Sequence, residues 1–280
     1  MNHKIKRFIS QWLIRIVLLI TSVILLYPLF WNIMSSFKTN EEFLLNQASL
    51  PTSFAWENYV RAVVSANMGA FAFNSIMVVT LSTIILVAFT IPTAYVIARF
   101  QFIATRMLET LFMICIFIQA MYIMVPLFVQ MHNLGLTNNR VALSVVYAVF
   151  QFPFTIFLLA GFIRGISGSF EEAARIDGCS NFRILTRIIV PLAKPGIATA
   201  TMLAAMGFWN EFPLALVLLR SQELMTIPIG LARLFQVQRR ATDFGALFAA
   251  LVIVLIPTII IYLIGQKYLL KGISAGGVKE

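Results

Sequence analysis

Six long apolar segments divide this 280-residue chain, and each is long enough to cross a lipid bilayer as a helix. Hydrophobic residues make up 60% of the chain and charged residues 11%, against roughly 25% charged residues in soluble domains. A soluble protein would leave most of these segments exposed to water. The sequence therefore predicts an all-α membrane protein, a single transmembrane domain over residues 1–280, whose six transmembrane helices have these approximate limits: 12–36, 71–98, 107–131, 141–163, 195–219 and 244–268.

Proline occurs inside several of the predicted spans. In membrane helices a proline kink is tolerated, because neighbouring helices and hydroxyl side chains satisfy the carbonyl that the proline frees. The prolines in question are Pro92, Pro126, Pro153, Pro213 and Pro257. The first span follows a basic N-terminus but is longer than the roughly 7–15 apolar residues of a cleavable signal peptide, so we expect it to be retained.

The lysines and arginines indicate the orientation of the spans, because cytoplasmic connections are enriched in both. If the N-terminus is cytoplasmic, fourteen of the 21 basic residues lie on the cytoplasmic side and the remaining seven lie outside. Both termini are therefore predicted to be cytoplasmic. One outer connection opposes the bias with four arginines: Arg220, Arg233, Arg239 and Arg240. The basic residues form no patch with interleaved aromatic residues, so no nucleic-acid partner is expected.

Two outer connections, 38–70 and 220–243, are long and contain Pro, Asn and aromatic residues. This composition predicts loops that carry short interfacial helices. A surface for an external partner and a simple spacer are both compatible with it.

The cytoplasmic connection over residues 167–194 concentrates charge between apolar runs. Ser169 followed by Glu172 matches the capping-box pattern that begins a helix. Gly178 supplies a residue able to adopt positive φ and end that helix. A second helix is predicted from Ser180, with apolar residues at helical spacing until two prolines mark the turn into the next span: Phe182, Leu185, Ile188, Ile189, Pro191 and Pro195.

The stretch "EEAARIDGCSNFRILTRIIVPLAKP" resembles the cytoplasmic EAA loop of binding-protein-dependent ABC importers. The match rests on Glu172-Ala173-Ala174, on Asp177-Gly178, and on Pro191 thirteen residues after the glycine. Further segments resemble the carbohydrate branch of these importers, in particular the smaller, maltose-type permease: "YPLFWNIMSSFKTNEEF" (27–43), "NSIMVV" (74–79), "GLTNNRVALSVVYAVFQFPFTIFLLAGFIRGI" (135–166), "FWNEFPLAL" (208–216) and the closing "KGISAGGVKE".

This resemblance implies a six-span permease in the cytoplasmic (inner) membrane of a prokaryote. Its implied partners are a second, related permease in a heterodimer, two ATPase subunits that bind ATP and Mg²⁺, an extracytoplasmic sugar-binding protein, and membrane lipid. The EAA loop is a coupling helix that sits in a cleft of the ATPase. The ATPase-coupling residues it implies are Glu171, Glu172, Ala173, Ala174, Asp177 and Gly178.

The chain itself is not expected to be an enzyme. It lacks the G-x-x-x-x-G-K-[ST] loop that cradles nucleotide phosphates, since no glycine is followed by lysine. Two cysteines without CxxC spacing, Cys115 and Cys179, and two histidines offer neither a disulfide framework nor a metal-ligand cluster. No cofactor is therefore expected in this chain.

Glu211 is the clearest acidic residue inside a predicted span, and intramembrane ionisable groups are candidates for function. Together with Trp209 and Asn210 it could contact sugar hydroxyls or line an outer gate. A carboxylate that is paired within the permease dimer, or that reaches external water, is the competing structural interpretation. On the same span Gly196, Ala200 and Ala204 recur every four residues, a spacing that favours close helix packing.

Three other functions remain open at this point. An ABC importer of a non-sugar solute would share the EAA loop. An ion-coupled secondary transporter would usually need a midplane carboxylate or a broken-helix ion site and often shows paired repeats, whereas this chain offers one off-centre glutamate and no visible repeat. A membrane scaffold is compatible with the composition but gives the EAA loop no purpose.

Overall fold

The computed structural model describes residues 2–238 and 243–276, with side chains over residues 10–236 and 243–266. Throughout this part of the chain the regular structure is helical and contains no strand. The helices in chain order are α1 (Asn2–Ser36), α2 (Asn40–Leu45), α3 (Glu57–Val60), α4 (Met68–Arg99), α5 (Ile103–Ile116), α6 (Ala120–Asn133), α7 (Arg140–Arg164), α8 (Ser169–Ile176), α9 (Asn181–Ile184), α10 (Val190–Leu192), α11 (Lys194–Asn210), α12 (Pro213–Leu218), α13 (Ile227–Gln238) and α14 (Phe244–Gly276). π-helical turns follow α3 and α9, and a 3₁₀ turn precedes α13.

Four helices have the length and hydropathy of a complete membrane span among the described residues. They lie over Ser10–Ser36, Met68–Arg99, Arg140–Arg164 and Phe244–Gln266. These helices correspond to the first, second, fourth and sixth predicted spans. Two bent helix pairs would raise the number of spans to six if each pair crosses the membrane once.

The third predicted span, 107–131, is not one helix. It is divided into α5 and α6, which bend by 103° relative to each other. Each has 14 residues and is about 21 Å long, less than the roughly 30 Å of a hydrocarbon core. Between them the amide of Ile118 donates to the carbonyl of Cys115 at 3.1 Å, and Gln119 then adopts an extended conformation. The break lies inside a run that is apolar except for Gln119, and one polar residue is too little for hydropathy to reveal it.

The fifth predicted span, 195–219, is also interrupted. Helix α11 ends at Asn210, Glu211 is extended, and α12 begins at Pro213. Proline has no amide hydrogen to donate to the carbonyl four residues earlier, and it disfavours helical geometry at the preceding Phe212. The chain therefore restarts as a new helix at Pro213. The other prolines singled out from the sequence do lie inside continuous helices: Pro92, Pro126, Pro153 and Pro257.

Residues 1–68 and 231–255 form one compact unit. Its aromatic core joins α1, α2 and the beginning of α14. The ring of Trp31 lies edge-on to that of Phe248, with centroids 5.1 Å apart, and Phe43 contacts both rings. By contrast, the apolar residues of α1 between Trp12 and Phe30 are exposed within this chain.

The connection 38–70 is tied into the same unit by polar groups. Lys38 is fully buried, and its ammonium donates to the carbonyls of Asn46 and Gln47, each at 3.1 Å. The guanidinium of Arg61 forms an ion pair with Asp243 at 2.7 Å. The short helices predicted for both outer connections are confirmed by α2, α3 and α13. Arg239 and Arg240, which entered the charge count, lie outside the described residues, as do residues 277–280.

Residues 69–230 and the described residues from 256 onward form the second compact unit. Close packing in this unit depends on small residues. A Cβ atom on Gly196 would lie 2.5 Å from Cγ of Phe162, so only glycine allows α11 to approach α7 this closely. Ala200 and Ala204 are buried on the same helix. The packing role predicted for this row of small residues is confirmed.

The first turns of α4 are hydrogen-bonded to the connection that precedes α13. The amide of Asn74 donates to the carbonyls of Glu223 and Met225 at 2.8 and 2.9 Å. Its side-chain oxygen accepts a hydrogen bond from the guanidinium of Arg140 at the start of α7. The amide of Ile227 donates to the hydroxyl of Ser75 at 2.9 Å. One turn of α4 therefore holds two other segments in place.

Candidate functional site

The charged connection folds as a short helix, α8, that is stopped sharply. The amides of Gly178 and Cys179 donate to the carbonyls of Arg175 and Ala174 at 3.0 and 2.9 Å. This pair of bonds, with Gly178 at a φ of +76°, is a Schellman motif. The predicted role of Gly178 in ending the helix is confirmed. Ala, or any larger residue, would be strained at that φ.

The predicted capping box at the start of α8 is wrong. The helix is entered from Gly168, whose carbonyl accepts from the amides of Glu171 and Glu172 at 2.9 and 3.1 Å. Gly168 already has helical dihedral angles, so Ser169 belongs to the first helical turn and does not cap it. The Ser169 hydroxyl instead forms a hydrogen bond with that of Ser167 at 2.8 Å.

Glu171 anchors α8 to the end of α4. It is 5% exposed, and its carboxylate accepts from Nε of Arg99 at 2.5 Å and from the hydroxyl of Tyr95 at 3.2 Å. Arg99 also donates to the carbonyl of Ile166 at 2.7 Å. Both charges are thus paired and hydrogen-bonded, as a buried ion pair requires if it is to be stable. The end of α4 therefore contacts both the first turn of α8, through Glu171, and the connection before α8, through Ile166.

Apolar packing adds to this anchor. Ala174, three residues after Glu171 and on the same face of α8, lies in a buried cluster with side chains from three other segments. Its neighbours in that cluster include Tyr95 and Ile97 of α4 and Leu159, Ala160 and Ile163 of α7. Alanine permits this approach because its side chain is a single methyl group. Glu171 and Ala174 together define the inner face of α8.

The other face of α8 is exposed and carries the remaining predicted coupling residues. Glu172, Ala173, Asp177 and Gly178 are all exposed. The site residues taken from the sequence are thus brought together on one eight-residue helix and its stop, but they divide between two faces.

Sequence reasoning missed the large apolar side chains of this exposed surface. Ile176 is 87% exposed and Phe182 is 75% exposed, and Phe170 is also exposed. We call these three residues the apolar tips of the coupling loop. Helical spacing could have predicted part of this exposure. With Glu171 and Ala174 on the inner face, Phe170 and Ile176 fall on other sides of the helix.

The second half of the loop leads back into the membrane segments as predicted. The hydroxyl of Ser180 accepts from the amide of Arg183 and caps α9. Ile184, Leu185 and Ile189 are buried in the same cluster as Ala174. Ala193 then separates helical residues 181–192 from α11, with a bend of 77°.

The second group of candidate residues, Trp209, Asn210 and Glu211, does not form a common site. Trp209 is buried, whereas Asn210 is exposed and its amide donates to the carbonyl of Met206 at 2.8 Å. Glu211 accepts from the backbone amides of Leu214 and Ala215 at 2.7 and 3.1 Å, and so caps α12.

Tyr147 of α7 completes the surroundings of Glu211 and was missed from the sequence. Its hydroxyl donates to the Glu211 carboxylate, and its ring stacks on Phe208 with centroids 5.7 Å apart. The carboxylate thus accepts three hydrogen bonds from within the chain. This geometry agrees with the structural interpretation of Glu211, because a carboxylate at a helix N-terminus satisfies amides that have no partner in the helix. In the described part of the chain no three His, Cys, Asp or Glu side chains are grouped as a metal site would need.

The chain is similar in sequence to proteins of one transport family. Residues 90–275 match the family described as "Binding-protein-dependent transport system inner membrane component". The chain is 35% identical to the diacetylchitobiose uptake system permease protein NgcG of Streptomyces coelicolor, over 92% of this chain and 86% of that protein. It is 32% identical to the multiple sugar-binding transport system permease protein MsmG of Streptococcus mutans, with 94% and 95% of the two chains covered.

The fold is also similar to that of a solved structure. A chain of a bacterial ABC transporter involved in the import of the acidic polysaccharide alginate superposes with a TM-score of 0.83. The two sequences are 27% identical, and the superposition covers 94% of this chain and 97% of the other.

Replacing Glu171 with Ala is expected to release α8 from α4. The change leaves Arg99 without its carboxylate, and breaking a buried ion pair in this way costs about 3–5 kcal/mol. Hydrogen–deuterium exchange of peptides over residues 167–178 should therefore become faster. Glu172→Ala, which removes an exposed carboxylate from the next position, should leave exchange unchanged. The charge-swapped pair Arg99→Glu with Glu171→Arg should restore part of the protection. Unchanged exchange in Glu171→Ala would show that the ion pair does not hold the helix.

Proposed function

Because this chain belongs to the family of binding-protein-dependent transport system inner membrane components, we propose that it is a permease subunit of an ABC importer for carbohydrates. The substrate class comes from the relatives. Two of them are named as permeases for diacetylchitobiose and for multiple sugars, and the similar solved structure belongs to an alginate importer. The similarity to these relatives covers nine-tenths or more of the chain, which supports a shared role for the entire subunit.

The observation that carries this proposal is the two-faced helix α8. Its inner face is held by the Arg99–Glu171 pair and by Ala174. Its outer face offers the carboxylate of Glu172 and the apolar tips of the coupling loop to a partner. Exposed apolar residues beside charges are typical of surfaces that another protein covers. The partner proposed here is a cytoplasmic ATPase subunit.

In this proposal ATP and Mg²⁺ are bound by two ATPase subunits, and this chain performs no hydrolysis. Closure of the ATPases moves α8, and the helix cannot move independently of α4 because Glu171 is bonded to both Tyr95 and Arg99. The buried cluster around Ala174 extends the connection to α7. A movement of the coupling loop therefore moves both α4 and α7.

The proposed assembly has a second, related permease, with which this chain forms the translocation pathway as a heterodimer, and an extracytoplasmic sugar-binding protein. In this proposal α5 with α6 forms the third span and α11 with α12 forms the fifth, which gives six spans with the loop 167–194 and both termini in the cytoplasm. The basic residues beside the loop, among them Arg99, Arg164 and Arg175, support this orientation.

The role proposed for the residues near position 210 is narrower than substrate binding by all three. Glu211 and Tyr147 fix the break between α11 and α12. Asn210, exposed beside the break, is the candidate for contact with sugar hydroxyls, and buried Trp209 anchors the end of α11.

Reconstitution of the complete transporter tests the function. The chain is produced with the permease, ATPases and binding protein encoded near it, and the assembled complex is placed in vesicles. Oligosaccharides that bind the receptor, added in labelled form, should enter only when ATP, ATPases and receptor are all present. Uptake by the isolated chain that depends on a proton or sodium gradient would instead identify a secondary transporter. A receptor that binds only amino acids or phosphate would identify an importer of another solute.

Changing an apolar tip to a charged residue should weaken ATPase docking. Ile176→Asp places a carboxylate on a surface that the ATPase would cover, so we expect co-purified ATPase to fall at least about tenfold. Leu45→Asp is the matched control, since Leu45 is also 87% exposed but lies on α2, distant in sequence from the loop. Equal ATPase yields from both variants would contradict docking through the tips.

Loss of the Glu211 carboxylate should impair transport more than assembly. Glu211→Ala leaves two amides of α12 and the Tyr147 hydroxyl without an acceptor, which loosens the break between α11 and α12. Uptake at limiting sugar is expected to fall while partner subunits still co-purify. Tyr147→Phe, which removes one donor, should have a smaller effect in the same direction. Unchanged uptake in both variants would leave the Glu211 cap a purely structural feature.

A further inference from the structure

A cavity of about 1020 Å³ lies at the end of the second unit that carries the coupling loop. It is lined by the last residues of α4, by residues 100–102, by one side of α5 and by Arg164 at the end of α7. Neither the coupling surface nor the break at Glu211 includes these lining residues. The cavity therefore belongs to a different part of the subunit.

One wall of the cavity is an apolar stripe along α5. Ile103, Met107, Leu111 and Ile114 follow one another at helical spacing, and all four line the cavity. Each is more than half exposed within this chain. The stripe contains no Gly, Ala or Ser. Membrane helices that pack on one another favour such small residues at their contacts, so this wall is poorly suited to a helix of another subunit.

The charged residues of the lining carry a net positive charge. Arg164 forms an ion pair with Glu109 at 2.7 Å, and both residues line the cavity. Arg106 also lines it, is exposed, and has no carboxylate partner among the side chains that the structure describes. The cavity thus holds two guanidinium groups and one carboxylate. Gln101 adds a neutral hydrogen-bond donor.

We propose that this cavity binds an anionic phospholipid of the cytoplasmic leaflet. Arg106 contacts the phosphate of the headgroup, and the acyl chains lie along the stripe of α5. Basic pockets between membrane helices on the cytoplasmic side are suited to anionic headgroups. The proposal rests on the proposed function only for its orientation, which puts the ends of α4 and α7 at the level of the cytoplasmic headgroups.

The lining of the cavity predicts the charge of the lipid headgroup that binds there. A zwitterionic lipid could fill the apolar stripe equally well but would leave the charge of Arg106 unbalanced. A second permease could cover the stripe only by supplying an acidic residue opposite Arg106. Headgroup selectivity and the chemical nature of the covering molecule are therefore the two quantities to measure.

Native mass spectrometry of the assembled complex tests the selectivity. The complex is equilibrated with mixed micelles that contain equal amounts of phosphatidylglycerol and phosphatidylcholine, and the bound lipids are counted. Wild type should retain phosphatidylglycerol over phosphatidylcholine by about fivefold. Arg106→Gln should abolish this preference, whereas Arg233→Gln, which removes an exposed charge from α13, should keep it. A preference that survives in both Arg106→Gln and the double variant Arg106→Gln/Arg164→Gln overturns the proposal.

A photo-crosslinker identifies what covers the stripe. With benzoylphenylalanine in place of Met107, the complex in phosphatidylglycerol-containing vesicles should form adducts with phospholipid. Adducts with a second permease would overturn the lipid assignment. ATPase co-purification from the same preparations reports separately on the proposed function. Arg106→Gln is expected to lose lipid selectivity with its ATPases retained.

Discussion

A helix that ends leaves backbone amides or carbonyls without partners, and at three interruptions of this chain nearby groups satisfy them. The break before α12 is tolerated because the Glu211 carboxylate accepts from two amides that have no partner in the helix. The turn into α9 is capped by the hydroxyl of Ser180, and the end of α8 is closed by the Schellman bonds around Gly178. Polar side chains of the types found in binding sites thus have a structural role here, because they cap helices.

A similar structural use of a polar side chain explains why two adjacent glutamates of the EAA-like loop have different surroundings. Glu171 is buried against Arg99, whereas Glu172 is exposed. A short helix with few contacts cannot remain folded on its surface residues alone, so one acidic residue is used to fix it. The next acidic residue is then free to face a partner. The apolar tips extend that outward surface to both sides of the helix.

Sequence reasoning identified the features that depend on local pattern. Four spans followed from apolar length, and the end of α8 followed from Gly178, because both depend on residues close together in the chain. The break between α5 and α6 was not predictable by these means, since the run across it is apolar except for Gln119. The Arg99–Glu171 pair joins residues 72 positions apart, and no periodicity signals such a contact. The capping box failed for a subtler reason, because Gly168 took the position that the pattern assigned to Ser169.

Helix α4 has 32 residues and extends for about 48 Å, and both of its ends are pinned. Its last turns hold the Glu171 carboxylate through Tyr95 and Arg99, and its first turns hold the chain around Glu223 through Asn74. A helix that is held at both ends can transmit a displacement along its axis without a series of side-chain rearrangements between those ends. In the proposed importer, a movement of α8 would therefore reach the connection before α13 through α4 alone.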